Sequence, residues 1–571
     1  MIKKVIIALI FLSSLSVFGQ REKFQINGAA RTYLFAKELD LERDLDTVTT
    51  RNSNYGHTLL DLGISAFPND NTEVISIFRI RNELGGFWGG GVSFNVRQLT
   101  LNGVAGGVVK YNLGDIDLKL TPYTLYNTVE EGVINEADVF AMRREIVHYD
   151  MFYLEDNTWR MQGANAQFGL DFNRGIENVS FRGYLTRQRP TDGITIPERL
   201  YGGGSVRVSQ SKDAFLELNS ISLFDLDRTI TDSIQYQNSV NTLRLHYARN
   251  LNENLKLGIQ SETGTSNVNY KNYVDPQAPD QQEDWFVDAT AFLKMDKQNI
   301  HIDLGYKDVG ADFFSPGAQT KRINFNRFPA VFQQFTNASI GRPVNYNDII
   351  SGNAEYIYKI SDELMAYNVA YSNITPYGVA TPNRRGLYLN AVREDSVKFR
   401  NSFVQFAQLS ESRGSGTTQL KSFTSIIAGT DIYINDFLNW EKRFVVNLGA
   451  QHEFTNRRGE EFENVNFNST FIDFGLTLEF LDKLDLMLGG KVWIAQGNEF
   501  ISHRNRYNTV VDFTPVEIDF TEYTYAAGIR YRFSEKNTIS LHFSHHQIDY
   551  NRNLGIDYGI TQFNILYSLM F

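Results

Sequence analysis

Three histidines near the end of the chain, His542, His545 and His546, are the first residues whose type and spacing could do chemistry. Imidazole is a common metal ligand. These three lie in a run of alternating apolar and polar residues, so on a β-strand His542 and His546 share a face while His545 points the other way. Four residues along a strand cover about 13 Å. A single metal, bound about 2 Å from each nitrogen, cannot bridge that gap. Asp40, Glu42, Asp44 and Asp46 alternate like an acidic cation loop, yet the central Gly and closing Glu of an EF-hand are missing, and an acidic solvated loop fits better. Gly89-Gly90-Gly91 and Gly106-Gly107 lack the following helix whose N-terminus would hold a phosphate. Arg413-Gly414-Ser415-Gly416 lacks the Gly-x-Ser-x-Gly nucleophile elbow. No catalytic residue, cofactor-binding residue or metal ligand is assigned, no cofactor is expected, and no enzyme activity is expected.

The elements that carry these residues are strands throughout. Of 571 residues, 42 are Phe, 29 Tyr and 43 Gly, against only 12 Pro and no Cys. Aromatics without long apolar runs suit β-structure. A net charge of −11 argues against nucleic acid as a partner. Paired alternating runs flank short polar turns: 57–67 with 72–81, 240–249 with 255–263, 285–295 with 300–306, 354–360 with 364–371, 470–480 with 485–495, and 523–533 with 538–548. Weaker pairs lie at 104–126, 160–187, 200–224 and 419–455. These are hairpin signals. With a first strand near 24–35 and a last strand after Gln562, they predict about 22 strands, an even number between roughly 18 and 24. Segments 84–111 and 384–411 could each hold a further pair. Longer segments separate the hairpins at 37–56, 127–158, 264–283, 309–348, 373–418 and 496–518. A propeller would repeat at a fixed period with a shared signature, and this spacing is irregular.

Period two also assigns faces. Leu243, Leu245 and Tyr247 oppose Arg244, His246 and Ala248. Ile300, Ile302, Leu304 and Tyr306 oppose His301, Asp303, Gly305 and Lys307. Ile472, Phe474, Leu476, Leu478 and Phe480 oppose Phe471, Asp473, Gly475, Thr477 and Glu479. Tyr525, Ile529 and Tyr531 oppose Arg530 and Arg532, and Leu541 and Phe543 oppose His542 and His546. One face is apolar, the other carries charges of both signs. A mean hydropathy of −0.31 is the average that such alternation produces.

The two ends of the chain are specific. Residues 1–19 have Lys3 and Lys4 before an apolar run and a small Gly19, the layout of a cleaved signal peptide. The run is too short for a spanning helix of about 20 residues. The last strand carries Phe563, Ile565, Tyr567, Leu569 and Phe571 on one face and stops. Tyr567, Leu569 and Phe571 resemble the C-terminal insertion signal of Gram-negative outer-membrane β-barrel proteins, and the Phe-, Tyr- and Asn-rich texture resembles those of Bacteroidota. The resemblance implies a single transmembrane antiparallel barrel over residues 20–571 in the outer membrane, with short periplasmic turns and long extracellular loops. It implies outer-membrane lipid, lipopolysaccharide and the barrel-insertion machinery as partners. TonB-dependent transporters are similar in barrel size, but strand-like sequence begins near Phe24, leaving no room for their plug.

Charged inward residues are expected at Arg244, His246, His301, Asp303, Lys307, Asp473, Glu479, Arg530, Arg532, His542 and His546. The loop 309–348 is too apolar for a free loop. Its Phe313, Phe314, Phe325, Phe328, Phe332 and Phe335, around an expected extracellular Pro316-Gly317 turn, should fold into the mouth, pack on neighbouring loops or dock a partner. The segment 397–409, with Phe399, Phe403 and Phe406, fits a helix or a hairpin extension equally. The resulting expectation is a porin-like passive channel for small solutes, narrowed by its own loops. The alternatives are a scaffold barrel with an envelope protein partner docked on 309–348 and 373–418, and an outer-membrane enzyme.

Overall fold

The computed structural model describes residues 23–41, 52–84, 92–125, 133–142, 144, 160–194, 197–226, 235–271, 281–319, 334–335, 338–339, 369–393, 397–504, 510–554 and 557–571. Alternating segments become strands β1 (Phe24–Leu41), β2 (Asn52–Asn69), β3 (Thr72–Glu83), β4 (Val92–Ala105), β5 (Val109–Asp117), β6 (Arg160–Arg174), β7 (Ile176–Arg189) and β8 (Arg199–Ser211). They continue as β9 (Ala214–Asp225), β10 (Gln235–Asn250), β11 (Leu255–Lys271), β12 (Gln281–Met295), β13 (Ile300–Val309), β14 (Arg384–Arg393) and β15 (Phe399–Ser410). The last seven are β16 (Ser422–Tyr433), β17 (Phe444–Arg457), β18 (Val465–Leu481), β19 (Leu484–Arg504), β20 (Val510–Ser534), β21 (Asn537–Tyr550) and β22 (Tyr558–Met570).

Every strand pairs antiparallel with its chain neighbours, and β22 returns to β1, in register from Ala29 opposite Met570 to Leu41 opposite Tyr558. The result is a closed antiparallel all-β barrel of 22 strands, as the hairpin series predicts. Closure leaves no edge of unpaired N–H and C=O groups. Tight turns gather at one rim, where Gly106 and Gly107 adopt φ of 61° and 72° and Lys483 adopts 61°. The other rim carries the longest connections, 118–159 and 310–383. Both Phe24 and Met570 lie at the short-turn rim.

The outer face is an apolar belt. Tyr525, Ile529, Tyr531 and Phe533 on β20, Leu541 on β21, and Phe563 and Ile565 on β22 are all exposed, whereas Thr524, Ala526, His542 and Leu566 between them are buried. The ten residue steps from Tyr523 to Phe533 rise about 25 Å at about 3.3 Å per step and 40° tilt, the height of a membrane-barrel belt. Among the described residues no helix is long and apolar enough to cross a membrane; the crossing is made by strands.

The structure differs from the sequence expectations in several places. The expected pair 354–371 has no place in the described ring, because β13 pairs directly with β14, Ile300 opposite Arg393 and Val309 opposite Arg384. Residues 349–368 lie outside the described residues, and 369–371 form a turn. The proposed loop 373–418 contains β14 and β15 joined at 394–398, so the hairpin suspected at 384–411 takes the place of the misassigned one. Segment 397–409 is strand, with Phe406 exposed and Phe403 packed inward. The weak pair at 104–126 is β4 and β5 at 92–117. Loops 37–56, 264–283 and 496–518 shrink to 42–51, 272–280 and 505–509 because paired strands continue above the belt. A ladder needs only continued pairing, so it outlasts the apolar pattern that marks the membrane.

Candidate functional site

The polar faces of the strands line the lumen, and much of their charge is paired. Asp473 meets Lys491 at 3.3 Å, Glu479 meets Arg532 at 2.9 Å, and Asp485 holds both Arg530 at 2.8 Å and Arg532 at 3.1 Å. His301 Nε2 lies 2.8 Å from Asp303. His246 is stacked between the rings of Phe215 and Phe292, 5.1 and 5.4 Å away. Lys307 is buried beside the Tyr388 ring. His542 and His546 are buried, and His546 Nδ1 lies 3.0 Å from Thr524 Oγ1. Arg244 lies half-buried on β10. Among the described residues no three His, Asp or Glu groups gather as a metal site.

Four stretches of chain fold from the long-loop rim into this lumen. Residues 118–125, after β5, pack with 313–319, after β13, against the inner face of β5–β13. Tyr123 stacks on Phe286 at 3.9 Å, meets Phe313 edge-on, and donates to Asp288 at 2.7 Å. Burial, reinforced by Asp288, pushes the Tyr123 hydroxyl well above its ordinary value, so it remains a donor. Thr121 donates to Glu262 at 2.6 Å, Ser315 to the Tyr123 carbonyl at 2.8 Å, and Gln319 to the Ala380 carbonyl at 2.9 Å. Phe313 and Phe314 are thus buried inside the barrel. The Pro316-Gly317 turn, expected outside the cell, is buried too: a Cβ on Gly317 would sit 2.5 Å from Tyr201 Oη. The apolar content of this segment is satisfied against the wall rather than at the surface. Phe325, Phe328 and Phe332 lie outside the described residues, as does the side chain of Phe335.

The same β5–β6 connection reaches the opposite wall as residues 133–144, helical over 138–142. A row of glycines receives it. Gly429 opposes Gly449 across β16 and β17, and Gly475 opposes Gly489 across β18 and β19. A Cβ would lie 2.0 Å from Asn135 Oδ1 at Gly429, 2.1 Å from the Ile134 carbonyl oxygen at Gly449, 2.2 Å from Ala137 Cβ at Gly475 and 2.6 Å from the Phe140 ring at Gly489. No larger residue fits these four places without displacing the segment. Charges fasten it: Glu136 to Lys491 and to Arg144, each at 2.5 Å, and Asp138 to Arg530 at 2.9 Å. Burial raises the Glu136 carboxyl, but Lys491 and Arg144 outweigh it and hold the group below its ordinary value.

The fourth stretch, 369–374, caps the upper part of that wall. Tyr371 meets Trp493 edge-on at 4.5 Å and donates to Glu522 at 2.8 Å. Asn373 donates to Glu499 at 2.6 Å and Thr455 at 2.9 Å, and Arg384 donates to the Ile374 carbonyl at 2.7 Å. Sequence reasoning missed 118–125, 133–144 and 369–374 as lumen elements. One signal was available: Glu136 to Arg144 reads Glu-Ala-Asp-Val-Phe-Ala-Met-Arg-Arg, a helix-favouring run in a chain otherwise written for strands.

An apolar belt, a polar lumen and a closed ring define a transmembrane β-barrel of the outer-membrane type, narrowed by its own connections. No family model matches the chain, and no curated protein matches it. Among solved structures it is similar to OccK2 (OpdF) of Pseudomonas aeruginosa, at 10% identity over 96% of this chain and 98% of that one, with a TM-score of 0.35. It is similar to OccAB3 of Acinetobacter baumannii, at 11% identity over 96% and 100%, with a TM-score of 0.33. It is also similar to the outer membrane channel DcaP of Acinetobacter baumannii, at 7% identity over 98% and 100%, with a TM-score of 0.28. Function is therefore argued from this chain's own residues.

Proposed function

We propose that the protein is a passive outer-membrane channel for small solutes, constricted by 118–125, 133–142, 310–319 and 369–383. The supporting observation is the seating of these segments. They cross a wide polar lumen, yet each is bound to the wall by specific rings, glycines and ion pairs rather than by another folded domain. A barrel of about this strand number is wide enough to need an obstruction, and a wall-bound constriction leaves an aqueous path beside it. The reading includes export by residues 1–19, a Bacteroidota-like source, the insertion role of Tyr567, Leu569 and Phe571, and contact with lipid, lipopolysaccharide and the insertion machinery.

Purified protein in a planar lipid bilayer tests the channel. Steady stepwise conductance is the expected result. A barrel that conducts nothing and co-purifies with an envelope protein would replace the channel with a scaffold.

A further inference from the structure

The lumen wall is not balanced in charge everywhere. Below the Tyr123–Phe313 cluster, toward the short-turn rim, a cavity of about 440 Å³ opens between Lys119-Leu120 of the first inward segment and the inner face of β5–β10. Lys110, Lys119, Arg182, Arg207 and Arg244 line it, and Glu217 is the single carboxylate among its lining residues. That carboxylate is taken up by Arg207, at 2.6 Å from Nη2 and 3.1 Å from Nε. Arg182 meets only a neutral acceptor here, Gln167 Oε1 at 3.2 Å. Arg244 and Arg207 both lie by the Phe215 ring, 5.7 and 4.3 Å from its centre, a contact that positions a guanidinium without neutralising it. The ion pairs of the opposite wall, Glu136–Lys491 and Asp485–Arg530, show what balance looks like in this lumen.

We infer that this cavity binds small oxyanions, carboxylate or phosphate, and gives the channel an anion preference. The chain as a whole carries −11, so the local excess of cations is a matter of placement, not composition. Cations crowded into a cleft with low-dielectric walls repel one another, and an entering anion relieves that repulsion. A guanidinium fork matches two oxygens of one carboxylate or phosphate, and Ser180 and Ser205 at the same cavity add hydroxyl donors. The volume suits a small metabolite rather than a chloride ion alone. The anion preference rests on the channel reading above; the binding site does not.

The experiment has two parts so that the two readings fail separately. Detergent-solubilised barrel is titrated calorimetrically with inorganic phosphate and, separately, with acetate. The comparison is a Lys110→Gln/Arg182→Gln/Arg244→Gln variant, with a single Arg182→Gln variant in case the triple one does not fold, and folding is checked by heat-modifiable migration. Binding of either probe, weakened about tenfold or more by the substitutions, is expected, as for lost charge-assisted contacts. Phosphate alone, or acetate alone, identifies which oxyanion the cavity takes. No binding by the native barrel, or binding that the variants leave intact, overturns the site. In bilayers under a KCl gradient, the zero-current potential should have the anion-selective sign and move toward zero in the variant. A cation-selective native channel overturns the inference while leaving the channel standing, and a silent barrel that still binds phosphate does the reverse.

Discussion

Lys491 donates to Glu136 at 2.5 Å across 355 positions of sequence, joining the wall strand β19 to the segment that crosses the lumen. Both side chains are buried, at 3% and 2% exposure, and Asp473 lies on the other side of Lys491 at 3.3 Å. Removing one partner of a buried pair costs about 3 kcal/mol, because the other charge remains buried. Lys491→Ala should therefore release 133–144. Larger or noisier single-channel steps would show it, and unchanged steps would count against the pair as the fastener.

The same pair fixes a pH window. Glu136 titrates below its ordinary value of 4.5 when docked. A lowered pKa contributes stability that is present above the free value and lost as pH falls through the lowered one. Conductance should stay constant from neutral pH down to about 4.5 and change only below it. An onset near neutral pH would show that another group holds the segment.

The glycine row makes a steric prediction. Gly475→Val places a branched side chain where Ala137 Cβ would already be only 2.2 Å from a methyl. Overpacking of this kind costs about 1–3 kcal/mol. The barrel should still fold, since residue 475 keeps its ladder partners Asn447 and Gly489. Protease cleavage within 133–144 should accelerate, whereas Gly183→Ala, where a Cβ meets nothing closer than 4.0 Å and which lies on β7 away from that segment, should leave the cleavage rate alone.

The first constriction hinges on Phe313. Phe313→Ala removes a ring fully enclosed by Tyr123 and Phe286, at a cost of about 3–5 kcal/mol. Antibiotic uptake by cells carrying the variant should rise. Equal uptake by native and variant cells would mean that the cluster does not obstruct the path.

Barrel closure predicts an assembly defect. Gly28 N donates to the Phe571 carbonyl at 2.9 Å and Phe571 N to the Gly28 carbonyl at 3.0 Å, while the Phe571 ring lies exposed on the belt. Phe571→Asp should deplete the protein from outer-membrane fractions. In the same cysteine-free background, a cysteine at Glu461, exposed on the long-loop rim, should react with an impermeant label on whole cells. Cysteines at Asp482 or Lys536 should not; the reverse pattern would invert the barrel.

The sequence by itself determined the wall. Period two is a local property of the strand, so hairpin turns such as Asp482-Lys483 and the apolar belt from Tyr523 to Phe533 were legible, and their count carried the closed ring. The ring takes its hairpin after β13 from β14 and β15 rather than from 354–371, so the expected total of 22 is reached by a different pair. Only the tertiary structure decided what fills the lumen. Ile134, Ala137 and Phe140 pack against Gly449, Gly475 and Gly489, more than three hundred residues further along the chain and brought near by ring closure. Likewise Lys110, Arg182 and Arg244 are ordinary inward residues one by one. They become a cavity with more cations than carboxylates because the ladders set β5, β7 and β10 around one space and Lys119 folds over it. Contacts between segments hundreds of residues apart leave no periodic trace, since nothing in either segment's own pattern depends on the other.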